Sequence, residues 1–239
     1  MDELIKSADK LFGIQLTESQ KAAFNIYETE LIDWNTRASL TAIHDVRQIR
    51  VKHFLDSLSC TLAMRGTPAN HVIDVGTGAG FPGVPLKIVE PGRRFTLVES
   101  IGKKAEFCRH ICQKLNFFDI EIIQDRAEIV ASRPDKRENY DWAVARAVAV
   151  LPVLVEYLLP FVRRGGYALA MKGETGPAEA QSAEQAIHIL GGQVEQLIPV
   201  TLPGVELKRY LVVIKKIATT PDNFPRRVGI PAKRPLGTD

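Results

Sequence analysis

Three glycines on alternate positions, Gly76, Gly78 and Gly80, follow the apolar run 71–75 in HVIDVGTGAGFPGVPL, with the acid Asp74 just ahead of them. A glycine turn between a strand and a helix lets backbone N–H groups come close to a ligand. A dinucleotide fingerprint would place its third glycine at position 81, which is Phe81, and a phosphate-cradling loop would continue into Gly-Lys-Ser/Thr, which Phe81 and Pro82 cannot supply. A second acid, Glu99, closes the next strand-like run in RRFTLVES. A carboxylate there can accept both hydroxyls of a ribose, at roughly 1.5–3 kcal/mol for each hydrogen bond to a charged group. The chemistry in view is recognition of a nucleoside that carries no pyrophosphate.

Acid-x-Gly-x-Gly-x-Gly after a first strand, with an acid after the second, is the layout of S-adenosylmethionine-dependent methyltransferases with a Rossmann-like fold. Asp74 would reach the amino-acid end of that cofactor, directly or through water. The acceptor is narrowed by absent motifs. The stretch YDWAVARAVAV lacks the Asn/Asp-Pro-Pro-aromatic signature of exocyclic amine methylation. No cysteine stands at a strand end to act as the thiolate nucleophile of cytosine C5 methylation. Arg146 occupies the place where ribose methylation would need an aspartate. Guanine N7 exposes its own lone pair and needs no base.

The elements that must position these residues alternate along the chain. Strands are expected at 71–75, 94–99, 120–124, 141–146, 167–171, 194–200 and 209–216, and helices at 82–90, 103–116, 151–162 and 178–190. That alternation predicts an α/β fold with a seven-stranded, mostly parallel sheet covered by helices on both faces. The last two strands lack an intervening helix, so one is expected to enter antiparallel. Three parts are expected: an N-terminal helical extension (1–69), the methyltransferase domain (70–217) and a basic, proline-rich tail (218–239) read as extended. In the extension Thr17 and Gln20 fit a capping box ahead of Phe24, Tyr27, Leu31 and Trp34 at helical spacing. A second helix is expected over 46–64, with Val51, Leu55, Leu58 and Leu62 inward and Arg47, Arg50, Lys52 and His53 on its other faces.

The 239 residues are 45% hydrophobic and 25% charged with a net charge of +3, the profile of an ordinary globular protein with a mild basic bias. The polar start MDELIKSADK is no signal peptide, and Arg146, Pro152, Glu156 and Pro160 break up the most apolar stretch, so a cytoplasmic protein without membrane attachment is expected. Three cysteines give an odd count for a disulfide framework. Cys108 and Cys112 share a stripe with Ala105 and Leu115, which reads as core, and no metal is expected.

In order, WNTRASLTAI, VKHFLDSL, VIDVGTGAGFPGVPLKIV, TLVESIGKKAEF, ARAVAVL, MKG and RYLVVIKK resemble successive blocks of the bacterial small-subunit ribosomal RNA methyltransferase G family, also called glucose-inhibited division protein B. The tail NFPRRVGIPAKRPL is similar to that of many members, whereas Ser39 stands where they commonly have Asn. The resemblance implies N7 methylation of one guanosine in the 530 loop of 16S RNA. The partner expected is 16S RNA or the 30S particle, which the sequence leaves open, and the chain is expected to be a monomer. By position it implies cofactor contacts at Gly76 and Phe81, an adenine border at Ala127 and Glu128, and an arginine, Arg146, that positions the guanine or the methionine carboxylate. Lys172 in MKG would meet a phosphate or the guanine O6. Arg126, Lys208, Arg209, Arg226 and Arg227 are the RNA candidates, and His53 and Asp56 would support the rim. Two other readings stand beside it: a methyltransferase for another RNA base or a protein, and a non-catalytic RNA-binding module that keeps the cofactor fold.

Overall fold

The computed structural model describes residues 1–237; Thr238 and Asp239, the last two residues expected in the tail, lie outside the described residues. Seven strands form one sheet: β1 (His71–Val75), β2 (Arg94–Val98), β3 (Ile120–Ile123), β4 (Tyr140–Arg146), β5 (Val162–Lys172), β6 (Gly192–Val200) and β7 (Arg209–Lys216). Their order is β3-β2-β1-β4-β5-β7-β6. β1 to β5 pair in parallel, and β7 runs antiparallel between β5 and β6. The strand order reverses between β1 and β4, and ligands of such sheets bind outside the carboxyl ends of the strands at that crevice. The central strands are apolar almost throughout because both faces are covered.

One face is covered by the helices Gly83–Val89 and Gly102–Lys114 together with the N-terminal helices. Phe24, Tyr27, Leu31 and Phe54 share a core with Val72, Phe95, Leu97, Trp142 and Val144 of the sheet, so the core runs across the boundary expected near residue 69. The other face packs on Leu151–Leu158 and on Gly176–Ser182 and Glu184–Ile189, two helices with a break at Ala183 where one was expected. The helix Glu18–Ala38 begins with the anticipated capping box and ends at Ser39 in the left-handed region, φ 46°. That is a conformation which asparagine tolerates better than serine does.

Two further expectations change. The single helix over 46–64 is α-helical at Val46–Ile49, becomes a π turn over Arg50–Leu55 and returns to α at Asp56–Leu58. The tail is not extended: Phe224 is buried, Ile230–Lys233 forms a short helix, and Arg137 donates to the carbonyls of Thr220 and Phe224. Its proline-rich composition hides the few residues that anchor it.

Candidate active site

The three glycines of the β1 loop all have positive φ, 69°, 63° and 94°, which an L side chain rarely adopts. The loop is fixed from below by Asp74, which is fully buried. Its Oδ2 accepts from Thr77 Oγ1 at 2.6 Å and from the Gly83 N–H at 2.7 Å. Its Oδ1 has no partner among the described residues. Burial pushes the Asp74 carboxyl up to about 7 from its ordinary 3.8, against the pull of those two donors. Glu99, immediately after β2, is 5% exposed, and its two oxygens accept from the N–H groups of Gly78 (2.9 Å) and Ile101 (2.7 Å). Each oxygen keeps a second lone pair for a hydroxyl.

The N-terminal helices support the same loop. Tyr27 donates its hydroxyl to the carbonyl of Ala79 and stacks on Phe81 at 5.3 Å between ring centroids. Phe81 also carries the His53 ring at 4.6 Å, and the Arg146 guanidinium lies 4.9 Å over its face. Phe81 is 4% exposed.

Gly76, Val98, Arg126, Ala127, Glu128 and Val148 line a cleft of about 90 Å³ at the carboxyl ends of β1 and β2. The cleft is narrow because the loop after β4 folds over it, with Ala147 at φ 55° and Val148 above Gly76. Lys172 holds that loop. Its Nζ donates to the Ala149 carbonyl at 2.5 Å and pairs with Glu179 at 2.7 Å, with the side chain 9% exposed. Lys172, expected to meet a phosphate or the guanine O6, is bound here to the loop after β4 and to Glu179. Glu128 borders the cleft as expected, but its carboxylate accepts the Gly229 N–H of the tail.

Arg146 ends β4 and turns toward the N-terminal helices. Nη1 donates to the Lys52 carbonyl (2.9 Å) and Asp56 Oδ2 (3.1 Å), and Nη2 donates to His53 Nδ1 (3.2 Å). Asp56, 2% exposed, also lies 3.4 Å from Arg209 Nε. Of the other RNA candidates, Arg126 and Lys208 are exposed. A second cleft of about 270 Å³ lies between Arg47 and Lys52 on one wall and Pro203, Gly204 and Val205 on the other. Arg226 differs from them: its guanidinium and backbone N–H are bound to Glu156, whose side chain is fully buried. Arg227 is exposed.

Sequence reasoning missed Tyr27, Val148, Glu156 and the Lys52 carbonyl. Of the groups that receive Arg146, His53 and Asp56, one helical turn apart, were the ones with a local signal. Among the described residues no three His, Cys, Asp or Glu side chains gather as a metal site requires, and no helix is long and apolar enough to cross a membrane.

The buried, unpartnered Asp74 Oδ1 and the ribose-competent oxygens of Glu99 suit a cofactor with a cationic amino-acid end and a nucleoside, as S-adenosylmethionine has. Comparisons with known proteins agree with this chemistry. Residues 20–208 match the family model described as rRNA small subunit methyltransferase G. The chain is 52% identical to the ribosomal RNA small subunit methyltransferase G of Roseiflexus castenholzii, over 99% of this chain and 100% of that one. It is 42% identical to the protein of that name from Alkaliphilus oremlandii, over 99% of both. Among solved structures it is similar to M. jannaschii TYW2 in complex with AdoMet, with a TM-score of 0.53 and 10% identity over 66% of this chain and 74% of that one. It is also similar to geranyl diphosphate methyltransferase in complex with SAM, with a TM-score of 0.50 and 12% identity over 66% and 84%. At these identities the likeness concerns the fold.

Proposed function

From the premise that the chain belongs to the rRNA small subunit methyltransferase G family, we propose that it transfers the methyl group of S-adenosylmethionine to N7 of a guanosine in the 530 loop of 16S RNA. The observation that carries the reading is the joining of Gly78 to Glu99 beside Asp74 and Arg146, at the carboxyl ends of β1, β2 and β4. Glu99 would hold the ribose, Asp74 Oδ1 the ammonium end, and the backbone at Ala127 and Glu128 the adenine edge. When bound, the cofactor supplies an electrophilic methyl group on a sulfonium.

The residues of the chain then act by positioning. N7 attacks with its own lone pair, so no side chain must take a proton in the transfer. Arg146 would hold the guanine or the methionine carboxylate in line, and such alignment can supply about 7–11 kcal/mol of the barrier. Val148 walls the cleft, Tyr27 and Phe81 pack behind its loop, and exclusion of water strengthens the fields of Arg146 and Asp74.

The test is to map methylated guanosines in 16S RNA from cells that lack the gene and from cells complemented with it. The reading expects one N7-methylguanosine in the 530 loop, present only in complemented cells. A mark on another base, or on a protein, would replace it.

A further inference from the structure

We propose that His53 is a positioning residue for Arg146, seated on a π turn that is built as a receptor for the guanidinium; this rests on the functional reading above. Single π turns inside α-helices are frequent at functional sites because they release backbone groups. Here the Asp56 N–H bonds to the carbonyls of Val51 and His53 and skips that of Lys52, its α-helical partner. The released Lys52 carbonyl is the one that accepts from Arg146 Nη1. The same turn brings Asp56 Oδ2 and His53 Nδ1 to the guanidinium, so three acceptors come from five consecutive residues.

Arginine only donates, so His53 Nδ1 must offer a lone pair and the ring must be neutral with its proton on Nε2. Nε2 lies 2.8 Å from Thr41 Oγ1, which takes that proton as an acceptor and also receives the Ile43 N–H. Burial first, and then the Arg146 charge, pull the His53 pKa down to about 3, which keeps the ring neutral throughout the working range. Phe81 closes the arrangement, with His53 stacked on it and Arg146 across its face. Three of the five guanidinium donors are thereby occupied, which leaves the Nε–H and one Nη2–H for the substrate. A rim that only filled space would need neither the skipped carbonyl nor a fixed tautomer.

Three substitutions of His53, with Arg146→Ala as a background, test the proposal by single-turnover methylation of 16S RNA at saturating cofactor. His53→Leu keeps the bulk and removes the acceptor, and should slow transfer about tenfold, as loss of one hydrogen bond to a charged group does. His53→Asn places an oxygen near the Nδ1 position and should recover most of the rate, whereas His53→Gln, which places it near Nε2, should not. In an Arg146→Ala background, His53→Leu should have no further effect. If Leu equals or exceeds Asn, or if the two losses multiply, the role is packing and the proposal falls. Histidine ¹⁵N spectra of the wild-type protein decide the matter separately from activity. A neutral Nε2–H tautomer from about pH 5 to pH 8 that is lost in Arg146→Ala is the expected result. An Nδ1–H tautomer, or no change in Arg146→Ala, overturns the proposal even if the RNA target were another. A wild-type protein that leaves 16S RNA unmodified but shows the expected tautomer overturns the functional reading instead.

Discussion

Arg226 in the tail clasps Glu156 on the helix Leu151–Leu158, with Nη2 2.6 Å from Oε2 and the Arg226 N–H 2.7 Å from Oε1. Glu156 is fully buried, so the tail supplies the counter-charge that its carboxylate requires. Removal of one partner of a buried pair costs about 3–5 kcal/mol, since the other is left uncompensated. Arg226→Ala should therefore lower the denaturation midpoint strongly, and Glu156→Leu in the same chain should recover part of the loss. Exposed Arg227→Ala should change stability little. Equal midpoints for Arg226→Ala and the wild type would show that the clasp is ornamental.

Gly76 and Gly78 share a positive φ but differ in surroundings. A Cβ on Gly76 would lie 2.6 Å from Val148 Cγ2, whereas one on Gly78 would meet nothing within 4 Å. Either alanine substitution carries a left-handed strain of about 1–2 kcal/mol. Gly76→Ala adds overlap with the loop after β4, so it should destabilise the chain and weaken cofactor binding more than Gly78→Ala. Val148→Ala should relieve the difference. Calorimetry on the three variants and the double substitution decides; identical effects at the two glycines would mean that the Val148 loop simply moves aside.

The legible parts of the site were those with local backbone chemistry. Glycines that need positive φ, acids at strand ends and an arginine inside an apolar strand announce themselves within a few residues, and β1 and β7 coincide with their expected bounds. What was hidden depends on partners far along the chain. Nothing near Lys172 shows that Ala149 and Glu179 will take its ammonium, and nothing in the tail shows that Arg226 will meet residue 156. The π turn was hidden for another reason: its apolar spacing fits an α-helix, and only the docking of Arg146 makes the released carbonyl useful.

Asp74 predicts a pH signature. Its carboxyl is raised to about 7 in the fold from 3.8, so between those values the folded chain holds a proton that the unfolded chain has released. Its contribution to stability is therefore complete below 3.8, is lost as pH rises to about 7 and is constant above. A cationic ligand group at Oδ1 favours the carboxylate. S-adenosylmethionine should consequently bind more tightly as pH rises toward 7 and release protons as it binds. Asp74→Asn should remove both effects. Titration calorimetry in buffers of different ionisation enthalpy reads the proton count, and a buffer-independent heat near pH 6.5 in the wild type would show that Asp74 is already ionised. At saturating cofactor the methyl-transfer rate should stay flat over the same range, since N7 needs no base.

RNA binding should show which cations meet phosphate. Lys208 is exposed on the loop whose Pro203, Gly204 and Val205 face Arg47 and Lys52 across the second cleft, and Arg126 is exposed at the mouth of the first. Arg226 is committed to Glu156, so its neutralisation would confuse loss of fold with loss of contact. Each phosphate contact to single-stranded RNA contributes about 0.7 to the slope of log affinity against log salt. Lys208→Gln and Arg126→Gln should each flatten the slope by about that amount, and together by about 1.4, with cofactor affinity unchanged for Lys208→Gln. Arg227→Gln isolates the tail: a flatter slope places the tail on RNA, and an unaltered slope assigns it to holding Glu156 and Glu128 alone. Filter binding of 16S RNA and of 30S particles across a salt series provides the measurement. Unchanged slopes for both Lys208→Gln and Arg126→Gln would mean that the RNA approaches from a different face.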